Sequence, residues 1–98
     1  MGELRFDWDK TKEASNLRKH GVSFREAETV FYDESARIVE DPAHSASEER
    51  FILLGLSFAI RILAVHHTYR AGGGIIRLIS ARKATRAERA EYRNLRRP

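Results

Sequence analysis

Apolar positions recur along the chain with two different periods, and the changes of period mark the elements. Leu4, Phe6 and Trp8 alternate with Arg5 and Asp7, the two-residue period of a short half-buried strand. Asp9 then stands where a helix N-cap is wanted, ahead of a mostly polar segment from Lys10 to His20 in which Ala14 and Leu17 form a narrow apolar stripe. Gly21 follows at the position that favours a left-handed residue. Ser23 with Glu26 makes a capping box and opens a second helix through Phe31, whose buried side is Phe24, Ala27, Val30 and Phe31.

From Ala36 the strand period returns. Ala36 to Glu40 reads as a short strand and Asp41 to Ser47 as a polar connection with a proline. Three longer strands rich in Ile, Leu and Val follow at Arg50 to Leu56, Arg61 to Tyr69 and Ile75 to Arg82, with Gly72-Gly73-Gly74 as the tip between the last two. Thr85 with Glu88 is a further capping box, predicting a last helix from Arg86 to Leu95 before the basic Arg96-Arg97-Pro98 end. The order β-α-α-β-β-β-β-α, with no repeat and no linker, predicts one α+β domain over residues 1–98, an antiparallel sheet carrying its helices on one face.

Composition narrows the class. At 98 residues and 42% hydrophobic content the chain suits one small core, burying about 60 to 68% of its unfolded surface. The absence of Cys removes disulfides, thiolate nucleophiles and cysteine metal sites. The longest apolar run, Phe51 to Leu56 with Gly55 inside it, is far below the ~20 residues that span a bilayer. Charges at Glu3, Arg5 and Asp7 stand where a signal peptide needs its apolar stretch. The expectation is a soluble, cytoplasmic protein without membrane contact.

The formal charge of +4 conceals an asymmetry. Residues 1–49 carry 7 basic and 12 acidic side chains, and residues 50–98 carry 11 basic and 2 acidic. Ten of the 11 basic residues in the second half are Arg, the side chain suited to bidentate contact with phosphate or carboxylate. Either one polyanionic partner with internal acid–base packing, or two partners of opposite sign, fits this split.

Several chemistries are poorly supported. His66 and His67 are adjacent on a strand, so their side chains point to opposite faces and do not form a ligand pair. With His20 and His44 elsewhere and no His-Glu-x-x-His, no metal and no cofactor are expected. There is no Gly-x-Ser-x-Gly elbow, and Gly72-Gly73-Gly74 lacks the Lys-Ser of a phosphate loop. What remains is a basic, imidazole-bearing set: Lys19 and His20 at a helix end, Arg61 and His67 on one strand, and Arg77, Arg82 and Lys83 on or just after the next. A three-residue hairpin loop sets His67 opposite Arg77 and Arg61 opposite Lys83; a four-residue loop sets Thr68 opposite Arg77. The plain alternatives are a salt bridge from Arg77 to an N-terminal carboxylate, dipole complementation by Lys19 and His20, a packed or solvent-facing His66, and a solvated face for Arg86, Arg89 and Arg93.

Asn-Leu-Arg-Lys-His-Gly-Val-Ser-Phe-Arg-Glu-Ala at 16–27, Glu49-Arg50-Phe51 entering a strand, His67-Thr68, and Ile-Arg-Leu-Ile-Ser-Ala-Arg-Lys-Ala-Thr at 76–85 resemble the BrnT family of ribonuclease toxins. The opening Phe-Asp-Trp-Asp and the closing Arg-x-x-Arg-x-x-Tyr helix extend the likeness over nearly the whole chain, while the tip Ala71-Gly72-Gly73-Gly74 is longer than the family's usual Gly-Asp turn. The resemblance implies a RelE-like fold and a bacterial type II toxin that degrades RNA and arrests translation. It also implies a ribbon-helix-helix antitoxin, operator DNA bound only through the toxin–antitoxin complex, and a toxin homodimer within it. Metal-free RNA cleavage needs a base for the 2′-hydroxyl, an acid for the leaving 5′-oxygen and cations for the charge on phosphorus. On that chemistry His20 or His67 is base or acid, Lys19, Arg77 and Arg82 hold the scissile phosphate, Arg61 and Lys83 hold flanking phosphates, and Tyr69 stacks on an unpaired base. The competing readings are a non-catalytic binding module whose basic half grips nucleic acid or an acidic protein, and a purely protein-interaction subunit.

Overall fold

The computed structural model describes residues 3–41 and 49–95; most of the polar connection, 42–48, and the basic end, 96–98, lie outside the described residues. Strand β1, Phe6–Asp7, leads into helix α1, Lys10–His20, which Asp9 caps by accepting from the backbone N–H of Thr11 and Lys12 at 2.8 and 3.1 Å. Gly21 ends α1 at φ 69°, a conformation that costs glycine nothing, and its N–H reaches Leu17 O at 2.9 Å. Helix α2 spans Phe24–Thr29 and tightens into a 3-10 turn over Val30–Tyr32, so the expected helix through Phe31 divides in two. Strands β2, Arg37–Glu40, β3, Phe51–Leu56, β4, Ile62–Arg70, and β5, Ile75–Lys83, precede helix α3, Arg86–Leu95.

The five strands form one sheet in the order β1-β5-β4-β3-β2. Strands β2 to β5 pair antiparallel in chain order, but β1 crosses over to lie parallel beside β5, so the sheet is mixed rather than wholly antiparallel. The fold class expected from the sequence, α+β, holds. Alternation along the strands divides the side chains between two faces. Leu53, Leu63, Val65, Ile76, Leu78 and Ala81 share a core with Val22, Phe24, Ala27 and Val30 of the α1–α2 region. Asn16 fastens α1 to this face, its amide bridging Val22 O, Ala81 O and Ala81 N at 2.8–3.0 Å.

Ile52, Leu54 and Ala64 face the other way. That face also carries Arg37 and Arg82, which pair with Leu54 and Ala64 and reach Glu91 and Glu88 of α3. Helix α3 therefore lies against the second face, a correction to the expectation that all helices share one. The reason is local: β5 ends at Lys83, Thr85 caps the next helix, and the two acids of α3 find their arginines on that side.

The β4–β5 connection has four residues, Ala71 to Gly74, so Thr68 meets Arg77 and His67 meets Leu78. A bulge beyond that point shifts the register, and Leu63, not Arg61, faces Lys83. The three-residue register is thereby overturned.

Candidate functional site

The cations singled out from the sequence do not converge on one point. Arg61 precedes β4 and Tyr69 lies near its far end; eight residues of strand separate them by roughly 26 Å. His67 and Arg77 point to opposite faces because the neighbour of His67, not His67 itself, pairs with Arg77. The set divides into an end group and separate internal pairs.

His67 belongs to the covered face and is fully buried among Phe31, Phe51 and Tyr69, whose ring centroids lie 4.9–5.9 Å away. Its Nδ1 is 3.0 Å from the Val65 carbonyl and its Nε2 is 3.2 Å from the Tyr69 hydroxyl. A carbonyl only accepts, so Nδ1 carries the proton and Nε2 accepts from Tyr69. Burial lowers the imidazole's pKa from its ordinary value, and the ring is neutral with both nitrogens engaged. Direct contact between His67 and a 2′-hydroxyl is closed off. Tyr69 is partly exposed, and burial raises its pKa.

Arg77 pairs with Asp7 at 3.2 Å, the N-terminal carboxylate that the plain reading of its sequence position named. Arg82 grips Glu88 through both terminal nitrogens, at 2.7 and 3.1 Å, and Glu88 in turn accepts from Thr85 N at 2.8 Å. The Arg82 hydrogen bonds, outweighing burial, hold the Glu88 carboxyl at about 2. On the same face His66 Nδ1 lies 3.4 Å from Asp41 Oδ2. Burial first and the Arg82 charge second lower the His66 pKa, with Asp41 opposing them. Arg77 and Arg82 are thus engaged with carboxylates.

The end group shares one surface, although Arg61 within it is itself paired with Glu26. Arg61, Lys83, Arg89 and Arg93 line one cleft of about 400 Å³ with Leu56, Ile60, Ile62, Ala84 and Tyr92, and no Asp or Glu is among the lining residues. Strand ends and α3 build it: Ala84 N donates to Ile62 O at 3.0 Å, and Arg89 bonds Ala84 O at 2.9 Å. Arg61 donates to both oxygens of Glu26 at 2.6 and 2.7 Å and to Gly21 O at 2.9 Å. That last bond joins the cleft wall to the end of α1, where Lys19 and His20 are exposed. The structure brings Arg61 and Lys83 together as lining residues of one cleft. Arg89 and Arg93, read as a solvated face, belong to it as well; their spacing of four on one helix side, directly after a strand ending in Lys83, was the available signal.

Glu26 was also missed as a tertiary anchor. Ser23 Oγ accepts from Glu26 N at 3.0 Å as a capping box requires, but the carboxylate turns to Arg61 and to Ser57 Oγ at 2.6 Å. Among the described residues, no group of three or more His, Asp or Glu side chains gathers where a metal ion would sit.

Comparison with known proteins fits this architecture. A model of the family described as "Ribonuclease toxin, BrnT, of type II toxin-antitoxin system" matches residues 8–88. The crystal structure of the Brucella abortus ribonuclease toxin BrnT superimposes with a TM-score of 0.65 at 26% identity, covering 86% of this chain and 100% of that one. No curated protein matches the chain. Spanning most of the sequence and agreeing with the fold, these matches establish that the chain belongs to the BrnT family of ribonuclease toxins of type II toxin–antitoxin systems.

Proposed function

We propose that the chain is a metal-independent endoribonuclease that binds RNA phosphates in the cleft between the strand ends and α3, and that RNA cleavage by it arrests translation in the cytoplasm. The observation that carries this reading is the gathering of Arg61, Lys83, Arg89 and Arg93 around one cleft without a lining carboxylate. A phosphodiester in it meets Lys83 and the guanidinium groups of Arg89 and Arg93, donors suited to a pentacoordinate phosphorus, while Arg61, held by Glu26, forms the wall. His20 is exposed at the end of α1, next to the Gly21 whose carbonyl accepts from Arg61 of the cleft wall, and Lys19 adjoins it in sequence. In this scheme His20 takes the proton of the 2′-hydroxyl, the oxygen attacks the adjacent phosphorus, and the 5′-oxygen leaves with a returned proton. Arg82 acts at one remove, holding Glu88 and so the first turn of the helix that carries Arg89 and Arg93.

A second arrangement has one observation in its favour. The Tyr69 hydroxyl donates to His67 Nε2 and is itself partly exposed, so His67 has a route to solvent through Tyr69. RNA digestion in EDTA by wild type, His20→Ala and Tyr69→Phe separates the two. Loss of cleavage on His20→Ala alone supports the cleft; loss on Tyr69→Phe alone supports the pair. Binding without cleavage by the wild type, at any metal concentration, returns the chain to a non-catalytic module.

The partner in this reading is a ribbon-helix-helix antitoxin. It neutralises the toxin, brings two toxin copies into one complex, and supplies the only contact with operator DNA. Co-expression of the toxin with the small gene beside it tests this: growth restored, and a co-purifying complex that binds operator DNA when the toxin alone does not, is the expected result.

A further inference from the structure

The turn between β3 and β4 holds two large apolar side chains in solvent. Phe58 is 71% and Ile60 81% exposed, and Ile60 adopts φ 61°, a region that a β-branched residue rarely occupies. A loose turn would relax this and fold the ring inward. Instead every backbone N–H of the turn is engaged: Ser57 N donates to Arg61 O at 2.9 Å, Phe58 N to Thr29 Oγ1 at 3.0 Å, Ala59 N to Ser57 Oγ at 3.2 Å and Ile60 N to Ser57 O at 2.9 Å. Beneath it, the Glu26 carboxylate grips both ends, Ser57 and Arg61. Ile60 also lines the cationic cleft, and two residues of chain put Phe58 within about 7 Å of it.

We propose that Phe58 is a stacking platform for an unpaired base of the RNA whose phosphates occupy the cleft, so that the site selects single-stranded RNA. The inference rests on the reading of the cleft as an RNA groove. An aromatic ring beside guanidinium groups is the arrangement by which proteins hold unstacked bases next to their backbone phosphates. A protein partner is a poorer match to the same surface: a stable interface takes about 800 Å² from each partner, whereas the apolar tip is a single four-residue turn flanked by cations. Because the turn is hydrogen-bonded throughout, the ring is presented without a backbone ordering cost at binding.

The test measures binding of a single-stranded RNA oligonucleotide and of the same sequence as a duplex, to wild type, Phe58→Ala, Phe58→Trp and a Lys83→Ala/Arg93→Ala double variant. Phe58→Ala is expected to weaken single-strand binding about ten-fold and leave duplex binding unchanged. Phe58→Trp is expected to retain affinity and to show indole fluorescence quenched by the single strand, beyond any change seen from Trp8 in the wild type. Equal single-strand binding by wild type and Phe58→Ala, with no quenching in Phe58→Trp, overturns the platform while leaving the groove intact. Loss of antitoxin binding in Phe58→Ala with RNA binding preserved also overturns it, in favour of a protein anchor. Undiminished RNA binding by the double variant instead removes the groove reading itself.

Discussion

Single side chains in this protein serve ends that their local sequence context does not announce. Glu26 sits three residues after Ser23 as a helix cap would require, yet its carboxylate spans to Ser57 and Arg61 across the fold. Arg61 and desolvation pull its pKa in opposite directions, and the arginine hydrogen bond prevails, lowering it. His67 lies on a strand among Ile, Leu and Val, where an imidazole looks chemical, and proves to be a neutral core group. Its pKa is depressed by burial, so the unfolded chain binds a proton near the ordinary value of 6.5 that the folded chain refuses. Stability from this group is present above that pH and lost as pH falls below it. His67→Phe is expected to flatten this loss, which urea denaturation at pH 7 and pH 5 measures by comparing the two differences. Gly55 is a case of contact: a Cβ there meets Val30 Cγ1 at 2.7 Å and Ala36 Cβ at 3.0 Å. Gly55→Ala is expected to destabilise by about 1–3 kcal/mol, read as a lowered denaturation midpoint.

At the scale of elements, α3 meets the sheet through ion pairs as well as apolar contact. Tyr92 is its buried aromatic, with the hydroxyl donating to Asp33 Oδ2 at 2.6 Å. Arg82 and Arg37 meet Glu88 and Glu91 from the sheet. The Arg82–Glu88 pair is the one whose strength is visible in titration, since it holds Glu88 at about 2 against an ordinary 4.5. Between those two pH values the unfolded chain binds the proton and the folded chain does not, so stability rises with pH through that window and is fully lost below it. Glu88→Gln is expected to cost about 2 kcal/mol at pH 7 and progressively less as pH falls from 4.5 toward 2. Acid unfolding of the two proteins, followed by circular dichroism, should show their stabilities approaching each other. The predicted helices and long strands were legible because caps and period coincide there. The strand β1 was legible too, but its parallel place beside β5 and the bulge in β5 were not, because each depends on a neighbour distant in sequence.

For the whole molecule, the division of charge acquires a structural meaning. Part of the acidic N-terminal half neutralises arginines of the second half internally, as Glu26 does Arg61 and Asp7 does Arg77. What is left over is concentrated at one end, where Lys83 and Arg93 are exposed beside Arg61 and Arg89. If RNA lies there, each cation that meets a phosphate contributes about 0.7 to the dependence of log affinity on log salt for a single strand. Lys83→Ala/Arg93→Ala is expected to reduce that slope by up to about 1.4 while leaving the thermal midpoint nearly unchanged. A salt titration of RNA binding beside a melting curve checks both halves of the statement.

The sequence by itself determined which segments are helix and strand, the α+β class, the excess of arginine in the second half and, through contiguous motif strings, the family resemblance. These are properties of neighbours along the chain, where period, caps and composition act directly. Tertiary structure alone decided which carboxylate each arginine meets and which cations line a cleft, Arg61 doing both, because pairing depends on strand register and on which face α3 covers. One residue of hairpin length separated His67 from Arg77, since side chains alternate between faces with a period of two.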